Sequence, residues 1–206
     1  MVTGSQKSST RPGGSPGRSA AFSLPNLLTY GRIAAAPLVG ATYYIPDNWG
    51  HWIAFVIFIA AAITDYFDGY IARIWNQQSA LGRMLDPIAD KLLVAVSILV
   101  LAVDGMFDGP SFWAAVIILM RELLVSGLRE FLAELRVSVP VTWLAKWKTA
   151  LQLIAIASLL IAPALQGAKS GFIIDMGLTF FWVAAIVTLY TGYDYFRAGL
   201  KHLLEE

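Results

Sequence analysis

The sequence predicts an all-α, polytopic membrane protein with six transmembrane helices. Of its 206 residues, 57% are hydrophobic and only 14% are charged, whereas a soluble domain has about 25% charged residues. The mean hydropathy is +0.63. The hydrophobic residues are gathered into six stretches, each close to the roughly 20 residues that cross a bilayer as a helix. With no cysteine and two histidines, thiolate zinc sites and disulfides are excluded and a histidine zinc site is not expected.

The N-terminal segment differs in composition from the rest of the chain. Residues 1–21 are rich in Ser, Gly, Pro and Arg, and such a segment cannot bury enough apolar surface to fold. It also lacks the short apolar run and small-residue cleavage site of a secretory signal. We therefore predict a disordered cytoplasmic tail over 1–21 and a single membrane domain over 22–206.

Six predicted spans follow in order, separated by segments of turn composition such as PDNWG, NQQSALG and QGAKSG. The first span contains Arg32 and Pro37. The second span is uninterruptedly apolar only from Trp52 to Ile63. The acids beyond Ile63 predict that the end of this span faces protein or water rather than lipid. No internal repeat is visible. The predicted spans are 26–45, 51–73, 86–103, 111–133, 142–162 and 174–196.

The distribution of basic residues predicts the orientation of these spans. With the N-terminus inside the cell, ten Lys and Arg residues, from Lys7 to Lys201, fall on inner segments and only Lys169 falls on an outer loop. Cytoplasmic loops of membrane proteins carry such an excess of Lys and Arg. Both termini are therefore expected in the cytoplasm, and no nucleic-acid partner is expected.

Two pairs of aspartates stand at the junction of the second and third spans. Asp65 and Asp68 are three residues apart, and Asp86 and Asp90 are four apart, so each pair shares one helix face. The short connection over 74–85 makes the two helices antiparallel neighbours. Four carboxylates are therefore expected to converge at the cytoplasmic end of this hairpin.

Four adjacent carboxylates repel one another unless positive charge lies among them. Oxygen ligands select hard cations such as Mg²⁺ or Mn²⁺, and two such ions form a known clamp for displacement at phosphorus. The alternative interpretation is that the acids cap helices or pair with Arg73, Arg83 and Lys91. Four paired acids partly inside apolar spans favour a functional site, because intramembrane acids are costly and usually functional.

The aspartate region resembles the signature of the CDP-alcohol phosphotransferase family. It matches the pattern D-x2-D-G-x2-A-R-x8-G-x3-D-x3-D at every specified position. The resemblance implies an inner-membrane, homodimeric enzyme with its site facing the cytoplasm, and two Mg²⁺ or Mn²⁺ ions. It implies the metal ligands Asp65, Asp68, Asp86 and Asp90, the last also acting as general base. It implies a nucleotide and pyrophosphate site bordered by Gly69, Ala72, Arg73 and Gly82.

Further segments resemble bacterial members of this family that use glycerol 3-phosphate as acceptor. They are PNLLTYGRIAAAPLV, DPIADKLLVA, RELLVSGLREFLAEL and WLAKWKTALQ. The implied substrates are CDP-diacylglycerol and glycerol 3-phosphate, with inositol phosphate or phosphatidylglycerol as alternative acceptors. An acceptor with a phosphate needs a cationic pocket, for which the candidates are Arg121, Arg129, Lys146 and Lys148. Anchoring at the cytoplasmic surface explains Lys146 and Lys148 equally well. A structural ion pair explains Arg121 and Glu122 equally well. Arg129 lies seven residues after Glu122 and so nearly on the same helix face.

Two polar residues at the start of the first span complete the candidate site. Helix N-capping accounts for Asn26, while the resemblance places Asn26 and Thr29 near CDP-diacylglycerol. Two other functional classes fit the sequence less well. A cation transporter also has intramembrane acids, but repeated halves and broken helices are not visible. A non-catalytic scaffold would not need all four aspartates.

Overall fold

The computed structural model describes residues 24–75, 80–135 and 143–204, and these ranges contain six α-helices and no strand. The predicted all-α class is therefore confirmed, while the predicted disordered tail lies outside the described residues. Short 3-10 turns, Thr42–Tyr44 and Ala162–Ala164, follow the first and fifth helices. The helices are α1 (Leu24–Ala41), α2 (Trp49–Trp75), α3 (Ala80–Val103), α4 (Pro110–Glu134), α5 (Trp143–Ile161) and α6 (Ala168–Leu204).

Two helices begin earlier than the turn composition predicts. α3 begins at Ala80 and runs through Pro87, so its start lies six residues before the predicted span. α6 begins at Ala168, and only the first two residues of the predicted turn QGAKSG precede it. The reversal there is made by Gly167, whose φ of 67° is readily adopted by glycine. Ser170 then donates a hydrogen bond of 2.9 Å from Oγ to the carbonyl of Ala162, which ties α6 to the end of α5.

Three of the described helices are long and apolar enough to cross a membrane. They are Pro110–Ala133 in α4, Trp147–Ala164 in α5 with its 3-10 turn, and Ala168–Arg197 in α6. A shorter apolar segment, Trp49–Asp65, forms the first two thirds of α2. Helices of this length and composition are typical of a membrane protein, and the predicted total of six spans stays a prediction.

The apolar core joins all six helices. α1 packs against α2 and α3, while α6 packs against α4 and α5. The core includes the buried side chains of Phe58, Leu101, Ile118 and Ile156. Where α3 ends, Phe107 stacks on Phe181 of α6 with ring centroids 4.9 Å apart. The apolar core leaves the start of α3, with its two aspartates, free to form a polar site.

The close approach of α5 and α6 at Gly177 gives a stability prediction. A Cβ atom added at Gly177 would lie 2.9 Å from Cγ and Cδ2 of the buried Leu159. We expect Gly177→Ala to lower the midpoint of thermal unfolding in detergent, because overpacking costs about 1–3 kcal/mol and exceeds the gain in helix propensity of about 1 kcal/mol. Gly171→Ala is the matched control, since a Cβ there meets nothing within 4 Å. An unchanged or higher midpoint for Gly177→Ala would contradict this packing.

Candidate active site

A single arginine joins three of the predicted aspartates. The Nη1 atom of Arg32 on α1 donates hydrogen bonds to Asp65 on α2 and to Asp90 on α3. Its Nη2 atom donates to Asp86 Oδ1 at 3.3 Å. Thr29, one turn earlier on α1, donates from Oγ1 to the same Asp86 oxygen at 2.5 Å. The first three helices therefore meet in one polar cluster.

Burial in this cluster is asymmetric. The Arg32 side chain is 2% exposed, whereas the side chains of Asp65, Asp86 and Asp90 are 45%, 43% and 47% exposed. The guanidinium group thus lies beneath the carboxylates, and each carboxylate keeps a surface that faces an open space. The exposed side of the three carboxylates is therefore the side that a substrate or cation would contact.

One face of α1 supplies the polar floor of the cluster. Asn26, Thr29 and Arg32 follow each other at intervals of three residues, and all three are buried. Residues at this spacing lie on neighbouring positions of one helix face. Asn26 lies inside the first turn of a helix that begins at Leu24, so N-capping does not account for it. Its burial on the face of Thr29 places it with the cluster.

Arg32 is a residue of this cluster that the sequence alone did not assign to the candidate site. The sequence contains a usable signal, because an arginine at the centre of a membrane helix costs about 2.5–3.5 kcal/mol on insertion scales and is usually paired. Only the alternative interpretation gives the acids basic partners, and those are Arg73, Arg83 and Lys91. Lys91 donates to the carbonyl of Pro87 at 2.8 Å.

Several predicted site residues have side chains outside the described part of the structure. These are Asp68, Gly69, Ala72, Arg73 and Lys146, together with Arg83. The backbone at Asp68 is helical, so the spacing of three residues from Asp65 remains a helical one. Gly82 is buried near the start of α3.

The cluster fits divalent cations in its donor chemistry. Oxygen atoms of three carboxylates already surround one positive group, and such oxygens are the ligands of Mg²⁺ and Mn²⁺. In this structure the Arg32 guanidinium supplies the positive charge that bound ions would supply. Among the side chains that the structure describes, no three acids or histidines are arranged to hold a metal as they stand. The fourth predicted ligand, Asp68, lies outside that set.

A cavity of about 250 Å³ opens beside Asp90 among α3, α4, α5 and α6. Its lining includes Asp90 together with Arg121, Arg129 and Lys148. Three of the four predicted acceptor-phosphate residues therefore lie in one cavity with the predicted general base. A neighbouring cavity of about 270 Å³ between α3 and α4 shares Arg121 and Arg129. We call the first of these the acceptor cavity.

The cations in the acceptor cavity differ in their partners. Lys148, which is 4% exposed, donates to Glu122 of α4. Arg121 lies 3.8 Å from Glu122 through Nη1 and donates to Thr191 of α6 at 3.0 Å through Nη2. Arg129 is exposed, and it forms no ion pair with any described side chain.

The association of Glu122 with Arg129 suggested by their spacing is not what the structure shows. Seven residues place the two side chains nearly on one face but about 10 Å apart along the helix axis. Glu122 instead pairs across helices with Lys148. The Arg121 and Glu122 pair is present, and Lys148 is a buried partner of Glu122 rather than a surface anchor. Arg129 is left as the cation most open to an incoming anion.

Comparison with known proteins adds an independent observation. The model of the protein family described as CDP-alcohol phosphatidyltransferase matches residues 22–190. A relative from Rickettsia bellii is 46% identical over 87% of this chain and 96% of its own length. Relatives from Cereibacter sphaeroides and Shigella flexneri are 38% and 39% identical, each over 90% of this chain and 99% of their own. All three are named CDP-diacylglycerol–glycerol-3-phosphate 3-phosphatidyltransferase.

Proposed function

Because this chain belongs to the CDP-alcohol phosphatidyltransferase family, we propose that it transfers the phosphatidyl group of CDP-diacylglycerol to sn-glycerol 3-phosphate. The products are phosphatidylglycerophosphate and CMP. Relatives that match over nearly their whole length carry this activity in their names. The observation that carries the choice of acceptor is the cationic acceptor cavity beside Asp90, which suits an alcohol that bears its own phosphate. Inositol phosphate and phosphatidylglycerol are the alternative acceptors.

The aspartate cluster forms the proposed binding site for the activated phosphate. Asp65, Asp68, Asp86 and Asp90 would hold two Mg²⁺ or Mn²⁺ ions, which when bound neutralise charge on the pyrophosphate and the departing CMP. Asn26 and Thr29 lie on the floor of the cluster, where their side chains can orient the nucleotide. Gly69, Ala72, Arg73 and Gly82 border the same substrate in this proposal.

The location of Asp90 supports its proposed role as general base. It is the residue that belongs both to the Arg32 cluster and to the lining of the acceptor cavity. In the proposed reaction its carboxylate takes the proton from the primary hydroxyl of glycerol 3-phosphate. The hydroxyl oxygen then forms a bond to the β-phosphorus as the bond from that phosphorus to CMP breaks. Arg121, Arg129, Lys146 and Lys148 hold the acceptor phosphate.

The membrane arrangement is part of the proposal. All six helices span the inner membrane, both termini lie in the cytoplasm, and two copies associate as a homodimer. A mostly apolar groove of about 360 Å³ between α1 and α2 supports entry of the lipid from the bilayer, because it reaches Arg32. Its lining includes Leu27, Leu28, Val56 and Ile57. An acyl chain there would leave the headgroup at the aspartates.

A panel of acceptors tests the function. The purified protein in detergent is given CDP-diacylglycerol and Mg²⁺ with glycerol 3-phosphate, inositol phosphate, serine or phosphatidylglycerol, and CMP release is measured. We expect release with glycerol 3-phosphate. If CMP is released only with another acceptor, the proposed acceptor is wrong but the proposed reaction type is retained. If no acceptor gives CMP release, the proposed activity is wrong.

Arg129→Gln should weaken binding of the acceptor selectively. A charge-assisted hydrogen bond contributes about 1.5–3 kcal/mol, which corresponds to roughly a ten- to hundredfold rise in KM for glycerol 3-phosphate. The KM for CDP-diacylglycerol should stay nearly unchanged. Arg129 is a cleaner target than Lys148, because neutralising Lys148 would leave the half-buried Glu122 without its nearest cation.

The control for Arg129→Gln is Arg197→Gln, an exposed arginine on α6 that is not among the lining residues of the acceptor cavity. Arg197→Gln removes the same charge from the protein. Its effect on KM therefore measures how much the overall positive charge of the protein attracts the phosphate of glycerol 3-phosphate. Equal rises in KM for both substrates, or equal effects of the two variants, would count against a phosphate contact at Arg129.

A further inference from the structure

The acceptor cavity contains a buried amide that the proposed reaction does not yet use. Gln152 of α5 is 3% exposed and lines the cavity. Its Oε1 atom accepts no hydrogen bond from any described residue. A buried acceptor without a hydrogen bond destabilises the protein, so a ligand that donates a hydrogen bond to this atom removes that cost on binding.

Gln152 is close in sequence or shares a cavity with the residues proposed to hold the acceptor. Gln152 lies four residues after Lys148 on α5, so the two side chains share one helix face. Asp90 and Arg129 line the same cavity from α3 and α4. Gln152 therefore lines the same cavity as the predicted general base and the predicted phosphate-binding cations.

The same cavity also holds a buried donor. The Nε atom of Arg121 is buried and donates to no described residue, although Nη2 of the same side chain binds Thr191. One unsatisfied donor and one unsatisfied acceptor thus belong to side chains that line a single cavity of about 250 Å³. A small ligand that carries both an anionic group and a hydroxyl group has the chemistry to pair with these two side chains.

The chemistry of glycerol 3-phosphate matches this arrangement. It has a phosphate at one end, a primary hydroxyl at the other and a secondary hydroxyl between them. In the proposed function the phosphate contacts the cations and the primary hydroxyl contacts Asp90. The secondary hydroxyl then remains to be recognised, and it needs a hydrogen-bond acceptor.

We propose that Oε1 of Gln152 accepts a hydrogen bond from the secondary hydroxyl of glycerol 3-phosphate. Gln152 is then a specificity-determining residue, which favours this acceptor over phosphorylated alcohols that lack the middle hydroxyl. The inference rests on the proposed function, since it assigns a contact within the same acceptor site.

The test compares two acceptors that differ in this hydroxyl alone. Glycerol 3-phosphate and 3-hydroxypropyl phosphate have the same phosphate and the same reacting primary hydroxyl. The purified full-length protein in detergent is assayed for CMP release with each, and the ratio of the two kcat/KM values is taken for each variant. A ratio within one preparation does not depend on how much of the protein is folded.

The wild-type enzyme should favour glycerol 3-phosphate by roughly tenfold. Gln152→Met keeps the length of the side chain and removes the amide, so its ratio should fall close to one, mainly through lower kcat/KM with glycerol 3-phosphate. Gln152→Leu gives the same comparison if the methionine variant does not fold. Gln166→Met is the matched control on an exposed loop residue and should keep the wild-type ratio.

The outcomes separate this inference from the proposed function. If the wild-type protein releases no CMP with glycerol 3-phosphate, the proposed function fails and this contact fails with it. If the wild-type protein is active but does not discriminate between the two acceptors, or if Gln152→Met keeps the full ratio, the function stands and the role of Gln152 is wrong.

Discussion

Asp65→Asn and Asp86→Asn should each reduce CMP release by well over a hundredfold. Asparagine keeps the shape of the side chain but removes the negative charge that holds a divalent cation. Loss of an outer-shell partner of a metal ligand typically costs about 10–100-fold, and loss of a ligand itself should cost more. Turnover is measured across a range of Mg²⁺ concentrations, and binding of Mn²⁺ is measured separately by electron paramagnetic resonance.

The control is Asp175→Asn, because Asp175 is exposed on α6 and only its backbone carbonyl accepts a hydrogen bond, from Thr179. This variant should keep wild-type turnover and Mn²⁺ binding. Removing divalent ions with a chelator should stop turnover by the wild-type protein, and added Mg²⁺ should restore it. Full turnover without divalent ions, or undiminished turnover in Asp65→Asn and Asp86→Asn, would exclude the two-ion site.

Asp90→Asn should reduce kcat by about 10²–10⁴-fold, the range typical for loss of a general base. The amide cannot take a proton from the acceptor hydroxyl, while its similar shape should preserve the acceptor cavity. The KM for glycerol 3-phosphate should therefore change little. The wild-type rate should fall at acidic pH, because a protonated Asp90 cannot act as a base, and the residual rate of the variant should lack this dependence.

Measurement of Mn²⁺ binding separates the two roles of Asp90. If Asp90→Asn binds Mn²⁺ like the wild type and is still slow, the loss belongs to proton transfer. If Mn²⁺ binding falls as it does in Asp86→Asn, ligand loss contributes. A reduction in kcat of less than about tenfold would show that Asp90 is not the base.

Local patterns in the sequence were sufficient to predict that six helices form and that the paired acids share a helix face. The six apolar stretches correspond to α1 to α6, because each turn-forming segment does separate two helices. The spacing of Asp86 and Asp90 on one face follows from helix geometry alone. The sequence misplaces the starts of α3 and α6, because polar residues such as Ser170 have turn composition but lie in a first helical turn.

Contacts between distant parts of the chain were not predictable in this way. Arg32 lies 33 residues from Asp65 and 58 from Asp90, and Glu122 lies 26 from Lys148. No period or motif links such positions, since their contacts depend on which helices pack together. The sequence also could not identify Gln152 as a candidate site residue. A single amide in an apolar helix can be linked to a site only when the cavity that it lines is known.

The place of Arg32 in the first helix has a consequence for how the protein is made. Synthesis proceeds from the N-terminus, so α1 and its guanidinium leave the ribosome before α2 and α3 bring Asp65, Asp86 and Asp90. Arg32 is therefore already in the nascent chain when each of its acidic partners arrives, and each carboxylate has a cation to pair with as its helix packs. In this structure Arg32 supplies the positive charge among the three acids, so the packing of α1, α2 and α3 around them needs no divalent ion.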